Sequence, residues 1–295
     1  MISKAEYANI IKRIDELEGD HRHMAHIGAL RKEMNDLNKD FFLEVAKGNI
    51  AGHRLVNKFG NAPSGVQTTT TDLWARADST TTQQIWLAPT AARIHTISSD
   101  SASDTTGSTG ANSVTIWYLP DWDTAEAQET VTGNLNSGVA MSNAAVIINR
   151  MAVNPQSTST TSNAGTIIAT AATDSTITAA ILPGKGKTQH AIYGIPSTET
   201  AYMINWSGSI DKSQGTSSSC DLSVSFNPNP DVQTTVFLRE QDVSVQSDGT
   251  SLFNRRMANM PIFAGPGIIK IQAIGSANDL DVQIDFDLIL IENGV

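Results

Sequence analysis

From Leu280 to Leu290 every second residue is apolar: Leu280, Val282, Ile284, Phe286, Leu288 and Leu290 alternate with Asp281, Gln283, Asp285 and Asp287. A period of two sends successive side chains to opposite faces of an extended chain, so this stretch predicts a β-strand half in a core and half in water. The same alternation recurs, in shorter form, at Ser113-Val114-Thr115-Ile116 and from Asp221 to Phe226. Ser, Thr, Gly and Asn dominate the connections. Many short strands joined in this way predict a mainly β body, a β-sandwich or jelly roll.

The front of the chain obeys a different period. Tyr7, Ile10, Ile14 and Leu17 recur at steps of three and four, as do Ile27, Leu30, Met34, Leu37 and Phe41. Charged and amide residues fill most positions between them. A seam this narrow suits a helix or coiled coil that packs on copies of itself or in one partner groove. It changes phase between Glu18-Gly19-Asp20 and Gly28. The expected organisation is a helical anchor and oligomerisation segment over 1–47, a Gly-rich linker over 48–65, and two β domains or halves over 66–185 and 186–295.

Those two β portions carry a degenerate repeat. Pro89-Thr90, Ser99, Asp104 and Gly107 lead to Val114-Thr115-Ile116; Pro196-Ser197, Ser209, Asp211 and Gly215 lead to Leu222-Ser223-Val224. Gly165-Thr166-Ile167-Ile168 then answers Gly267-Ile268-Ile269. Two related β-sandwiches in tandem, or one jelly roll with pseudo-symmetric halves, would produce this pattern; so would chance similarity between Ser/Thr-rich strands.

Charge separates the two regions as well. Residues 1–60 hold ten Lys/Arg against nine Asp/Glu, whereas residues 61–295 hold ten against 21, a net of −11. An acidic body repels phosphate backbones, which argues against a nucleic-acid partner. No run of 18 apolar residues is present to cross a membrane as a helix, and the charged N-terminus lacks the apolar stretch of a signal peptide. One cysteine, Cys220, excludes an intrachain disulfide, so synthesis and assembly are expected in a reducing cytoplasm.

Candidate chemistry is sparse. His21, His23 and His26 lie close enough for a transition metal, but nothing else supports one, and polar residues at a helix interruption explain them. Pro183-Gly184-Lys185-Gly186-Lys187-Thr188 resembles a phosphate loop, yet Ile181 stands where the pattern needs glycine, so a turn is expected. Asp121 and Asp123 could serve a glycosidase, with Trp117, Tyr118 and Trp122 nearby as a ligand platform. Asp100 and Asp104 could contact calcium, although no complete calcium-loop signature occurs. His53, His95 and His190 have no motif context, and Cys220 precedes an apolar strand as a small core side chain would. The expectation is a non-enzymatic chain with no catalytic residues, cofactor or metal.

The stretch Phe42-Leu43-Glu44-Val45-Ala46-Lys47-Gly48-Asn49-Ile50-Ala51-Gly52-His53, followed by Leu55-Val56-Asn57-Lys58-Phe59-Gly60, resembles a segment of virion structural proteins of tailed bacteriophages. The layout behind it is similar too: Pro89-Thr90-Ala91-Ala92, a Ser/Asp/Thr/Gly-rich run from Ser98 to Gly110, and the closing strand. The resemblance spans residues 41–295. It implies a non-enzymatic virion protein, a capsid decoration (cement) protein or else a neck, tail or fibre component. Phe42, Gly48, Gly52, His53, Lys58 and Phe59 would then dock it on the particle. Its implied partners are copies of itself, with a trimer favoured, and other virion proteins such as the major capsid protein. A receptor- or glycan-binding appendage is the rival reading.

Overall fold

The computed structural model of the chain describes residues 4–18, 40–76, 83–154, 162–211, 218–247, 251–256 and 260–294. Residues 1–55 and 56–295 are two compact units.

In the first unit, α1 spans Lys4–Glu18 and α2 spans Phe41–Ala46. The Asp40 carboxylate caps α2, accepting hydrogen bonds from the Phe42 and Leu43 amides at 2.9 and 3.2 Å. Capping of this kind satisfies amides that a helix start otherwise leaves unpaired. Glu44 closes the other end, accepting from Lys47 Nζ at 3.0 Å and Asn49 Nδ2 at 2.7 Å. Of the anticipated seam, Tyr7, Ile10, Ile14 and Leu17 fall on α1, whereas Ile27, Leu30, Met34 and Leu37 lie outside the described residues. The helical portion seen is therefore one short helix and a single capped turn and a half.

Strand β1 begins at His53 and runs to Val66. The linker expected over 48–65 is thus mostly strand. Glycine and proline normally mark loops, but here Gly60 serves a close approach of backbones: a Cβ on it would lie 2.4 Å from the Leu73 carbonyl oxygen.

In the second unit the strand pairs of defined register are antiparallel. Strands β2 (Thr71–Asp72), β3 (Arg93–Ser99), β4 (Ser113–Leu119), β5 (Ala127–Thr132), β6 (Val139–Ala145), β7 (Ile147–Val153), β8 (Ile167–Ala171) and β9 (Ile177–Ile181) come first. Then follow β10 (Ile192–Ile195), β11 (Glu199–Asp211), β12 (Ser218–Asn227), β13 (Leu238–Ser247), β14 (Ser251–Arg256), β15 (Ile262–Ala264), β16 (Gly267–Gly275) and β17 (Leu280–Glu292). They form four sheets, ordered β1-β17-β11-β14, β10-β16-β12-β13, β6-β3-β8-β9 and β5-β4-β7, with β15 on β11 and β2 on β16. The first two sheets enclose one core, around Trp206, Phe286, Ile271 and Leu222. The last two enclose a second, around Ile97, Ile116, Met151 and Ile181. Two β-sandwiches result, as alternating strands with Ser/Thr/Gly connections lead one to expect.

Their sheets do not follow the boundary expected at residue 185. Residues 53–72 pair with strands of 192–292, and β3 to β9 lie between them in the chain. Trp74 and His190 form an antiparallel bridge where the chain leaves the outer sandwich and returns to it. The sandwiches are nested: one is inserted into the other.

The two sandwiches share one strand-pairing scheme. In the inserted sandwich β3 lies between β6 and β8, and β4 between β5 and β7; in the outer one β11 lies between β14 and β17, and β12 between β13 and β16. The match of Val114–Ile116 to Leu222–Val224 equates β4 with β12, as the topology does. The match of Gly165–Ile168 to Gly267–Ile269 is corrected: β8 corresponds to β17, and β16 corresponds to β7.

Two buried carboxylates fix connections. Asp104, in the β3–β4 loop, accepts from the Ala111 and Ala164 amides at 2.8 Å each, from the Gly165 amide at 2.9 Å and from Ser99 Oγ at 2.5 Å. Asp72 on β2 meets Lys270 Nζ of β16 at 2.8 Å and accepts from Gln272 Nε2 and the Trp86 amide. Burial pushes the Asp72 carboxyl up, and the Lys270 ammonium opposes that shift.

Candidate functional site

The β1–β17–β11–β14 sheet turns one face to its core, and along β17 Gln283 and Asp285 point away from that core. Register builds that outer face. Ser207 pairs with Asn254 on one side and Asp285 on the other; Ser209 likewise lies between Leu252 and Gln283. Antiparallel partners share a face, so these six side chains form two adjacent rows. Asn57 Nδ2 donates to Asp287 Oδ1 at 2.7 Å, which sets β1 beside β17, and alternation places Phe59 and Asn61 on the same outer face. With Gln189 they wall a groove of about 640 Å³. Its polar groups are hydroxyls, amides and one carboxylate, Asp285, which accepts from Ser207 Oγ at 2.5 Å.

A second cleft, of about 200 Å³, shares Phe59 as a wall. Asn57, Lys58, Arg150, Lys187 and Thr188 complete it. Three different elements deliver its cations: β1 brings Lys58, β7 brings Arg150, and the turn between β9 and β10 brings Lys187. That turn is the segment with phosphate-loop likeness. Gly184 and Gly186 have φ of +72° and +68°, which glycine adopts without strain, and Asn163 ties both of their amides down. The segment is a turn, and it delivers a lysine.

Lys58 is buried, and its ammonium donates to the Asn149 carbonyl oxygen. Burial pushes its pKa down to about 7, the Glu126 carboxylate opposing and Arg150 assisting. His190 Nε2 donates to the same carbonyl at 2.7 Å, and burial holds that imidazole well below its usual range, with Lys58 adding to the effect. Asn149 is itself fixed: Nδ2 donates to Glu126 Oε1 at 2.6 Å, and Oδ1 accepts from the Gly194 amide at 2.8 Å. The Arg150 guanidinium stacks 4.7 Å from the Trp117 ring centre. Lys187 Nζ lies 5.8 Å from the Phe59 ring centre.

The residues singled out by sequence separate into three groups. Trp117, Tyr118 and Trp122 form no platform. Trp117 and Tyr118 are neighbours on β4 and face opposite ways, Tyr118 into the inserted core and Trp117 toward Arg150. Trp122 packs instead against the outer core. Asp121 spends its oxygens on the Asp123 amide and the Thr124 hydroxyl, which hold it below the usual carboxylate range. A carboxyl so held is a poor proton donor for glycoside cleavage.

The second group is the resemblance segment. Phe41 and Leu43 stand exposed on α2 beside half-buried Phe42, with Val45 and Glu44 buried. Gly48 and Gly52 take φ of +74° and +68°, and the turn they make seats the His53 ring edge-on to Phe41 at 6.0 Å. Lys58 and Phe59, expected as docking contacts, line the cleft. Tyr7 is exposed and Ile10 half-buried on α1.

The third group comprises structural side chains. Asp104 is ringed by amide donors, an environment that serves a carboxylate and opposes a cation. Among the described residues no three His, Cys, Asp or Glu side chains gather as a metal site, and His21, His23 and His26 lie outside them. Burial lowers His95 to about 4 and raises the Cys220 thiol to about 12. Neither suits catalysis near neutrality. Sequence reasoning missed the groove and Arg150; the outward Ser207, Ser209, Gln283 and Asp285 look like any wet strand face until four strands set them side by side.

No family model and no curated protein matches this chain. Among solved structures it is similar to infectious bursal disease virus, Gt strain, at 9% identity and a TM-score of 0.23, over 86% of this chain and 79% of that chain. It is similar also to the VP2 subviral particle of the same virus, at 10% identity and a TM-score of 0.20, over 87% and 78%. Likenesses this slight bear on neither fold nor function.

Proposed function

We propose that this chain is a non-enzymatic structural protein of a virus particle, which oligomerises and docks through its first 55 residues. The observation that carries the reading is the exposure of Tyr7, Phe41 and Leu43 on two short helices. The second helix already has its amides capped and its inner residues buried, so local folding gives no reason for apolar side chains in water. Phe41 and Leu43 lie two residues apart on α2, and neighbouring exposed apolar side chains suit an interaction surface. The sequence resemblance at Phe42–Gly60 points to tailed-bacteriophage virion proteins. Within that class, capsid decoration stands ahead of a neck, tail or fibre position, because a small anchor ahead of a larger acidic β body suits weak symmetric attachment multiplied over many copies.

Light scattering of the purified chain tests self-association. The wild type should have a mass that is a multiple of 31.5 kDa, and Phe41→Asp with Leu43→Asp should return it to a single copy. Gold-labelled antibody to the chain should decorate virus particles at regular positions. A monomeric wild type together with unlabelled particles would overturn the proposal.

A further inference from the structure

We propose that the basic cleft and the groove beside it form a binding site for an acidic saccharide, its anionic substituent in the cleft and its neutral rings along the groove. This goes beyond a structural role and holds whether or not the chain sits on a particle.

Residues 61–295 carry a net charge of −11. Against that background Lys58, Arg150 and Lys187 converge on one small cavity, and the Glu126 carboxylate attracts Lys58. Gathering like charges costs repulsion, and sinking an ammonium into protein costs solvation. Lys58 shows the second cost directly in its lowered proton affinity. The Asn149 carbonyl that Lys58 contacts also accepts from His190, so the acceptor is shared. Two of the three cations are nevertheless held in place, Lys58 by Asn149 and Arg150 by the face of Trp117. Perturbed groups held in a cavity at a cost to stability are the usual mark of a ligand site. A carboxylate or sulfate in the cleft would relieve the repulsion.

The groove adds what the anion alone does not need. Asn61, Ser209, Asn254 and Gln283 offer paired donors and acceptors, and Phe59 and Leu252 offer apolar surface. Sugar rings present hydroxyls at their edges and C–H groups on their faces, and this lining matches both. A nucleic acid fits less well: its repeated phosphates would run beside Asp285 and Asp287.

The test uses the full-length chain on an array of carboxylated, sulfated and neutral oligosaccharides. The strongest acidic binder, its uncharged parent and inorganic sulfate are then titrated calorimetrically. The acidic saccharide should bind at least roughly tenfold tighter than either control, and more weakly as salt is raised. Carboxylated against sulfated spots identify the substituent. Lys187→Gln should lower affinity roughly tenfold without moving the thermal melt, and Ser209→Trp should block the groove. Four outcomes would overturn the proposal: an array with no acidic binder, equal binding of the neutral parent, sulfate alone binding as tightly, or both variants binding like wild type.

Discussion

A Cβ on Gly60 would lie 2.4 Å from the Leu73 carbonyl oxygen and 2.7 Å from the Ala191 nitrogen. Both are backbone atoms, bonded to each other at 2.9 Å, and neither can swing aside. Gly60→Ala should therefore cost about 3 kcal/mol, the upper range for forcing extra volume into a packed core, read as a lowered midpoint of urea unfolding. The buried cations set a pH dependence. His95 has a folded pKa of about 4 and His190 one well below 6.5, so the unfolded chain takes up protons that the folded chain refuses. Stability should fall as pH drops from 6.5 towards 4, by up to about 1.4 kcal/mol per pH unit for each histidine. Lys58 acts in the same direction higher up. With a folded pKa of about 7, it binds fewer protons than in the unfolded chain from there to about 10, so stability should rise across that window. Lys58→Met should gain about 2–3 kcal/mol at pH 7, with the lost attraction to Glu126 limiting the gain. Thermal melts between pH 7 and 9 should flatten in that variant.

At the scale of elements, β17 was legible because one strand with one wet face writes its burial into the sequence at every second position. β1 was not. Its Gly60, Pro63 and Gly65 carry the signature of a loop, and only the proximity of Leu73 and Ala191, distant in sequence, explains the glycine. The truncation that separates the two readings follows from this. Removing residues 1–52 leaves β1 whole, and the β body should melt within about 5 °C of the full chain, since every strand is retained. Removing residues 1–60 cuts β1 in half, takes Lys58 from the cleft and Phe59 from both cavities, and should lower the melt by more than 10 °C, because sheet hydrogen bonds and apolar burial go together. Circular dichroism melts of the two truncations decide it. Equal melts would mean that the first half of β1 contributes nothing. The site was half legible: Lys58 and Phe59 stood out by resemblance, whereas Arg150 is an isolated arginine whose stacking on Trp117 depends on the β4–β7 register.

At the scale of the molecule, the two sandwiches repeat one pairing scheme but depend on each other unequally. The inserted core is closed: its buried residues, from Ile97 to Ile181, all come from the segment between Ala75 and Gln189. The outer core is not. Trp86, Ala88, Leu119, Val146 and Ile147 of that same segment are buried in it, with Ile147 against Gly194. The like alternation of β4 and β12 was visible in the sequence but the nesting was not, because insertion depends on where the chain re-enters, and that point is marked by a bridge between Trp74 and His190. The inequality predicts opposite fates for the two halves. Residues 90–185 expressed alone should fold and unfold in one cooperative transition, since they keep a complete core and all of β3 to β9. The outer sandwich with residues 76–188 replaced by a short Gly-Ser link should still close, because the flanking residues are adjacent. It should nevertheless lose several kcal/mol of burial, at roughly 1.5–3 kcal/mol for each large apolar side chain removed from its core, and bind a dye for exposed apolar surface. If the excised insert is unfolded and the shortened outer sandwich is as stable as the parent, the dependence runs the other way.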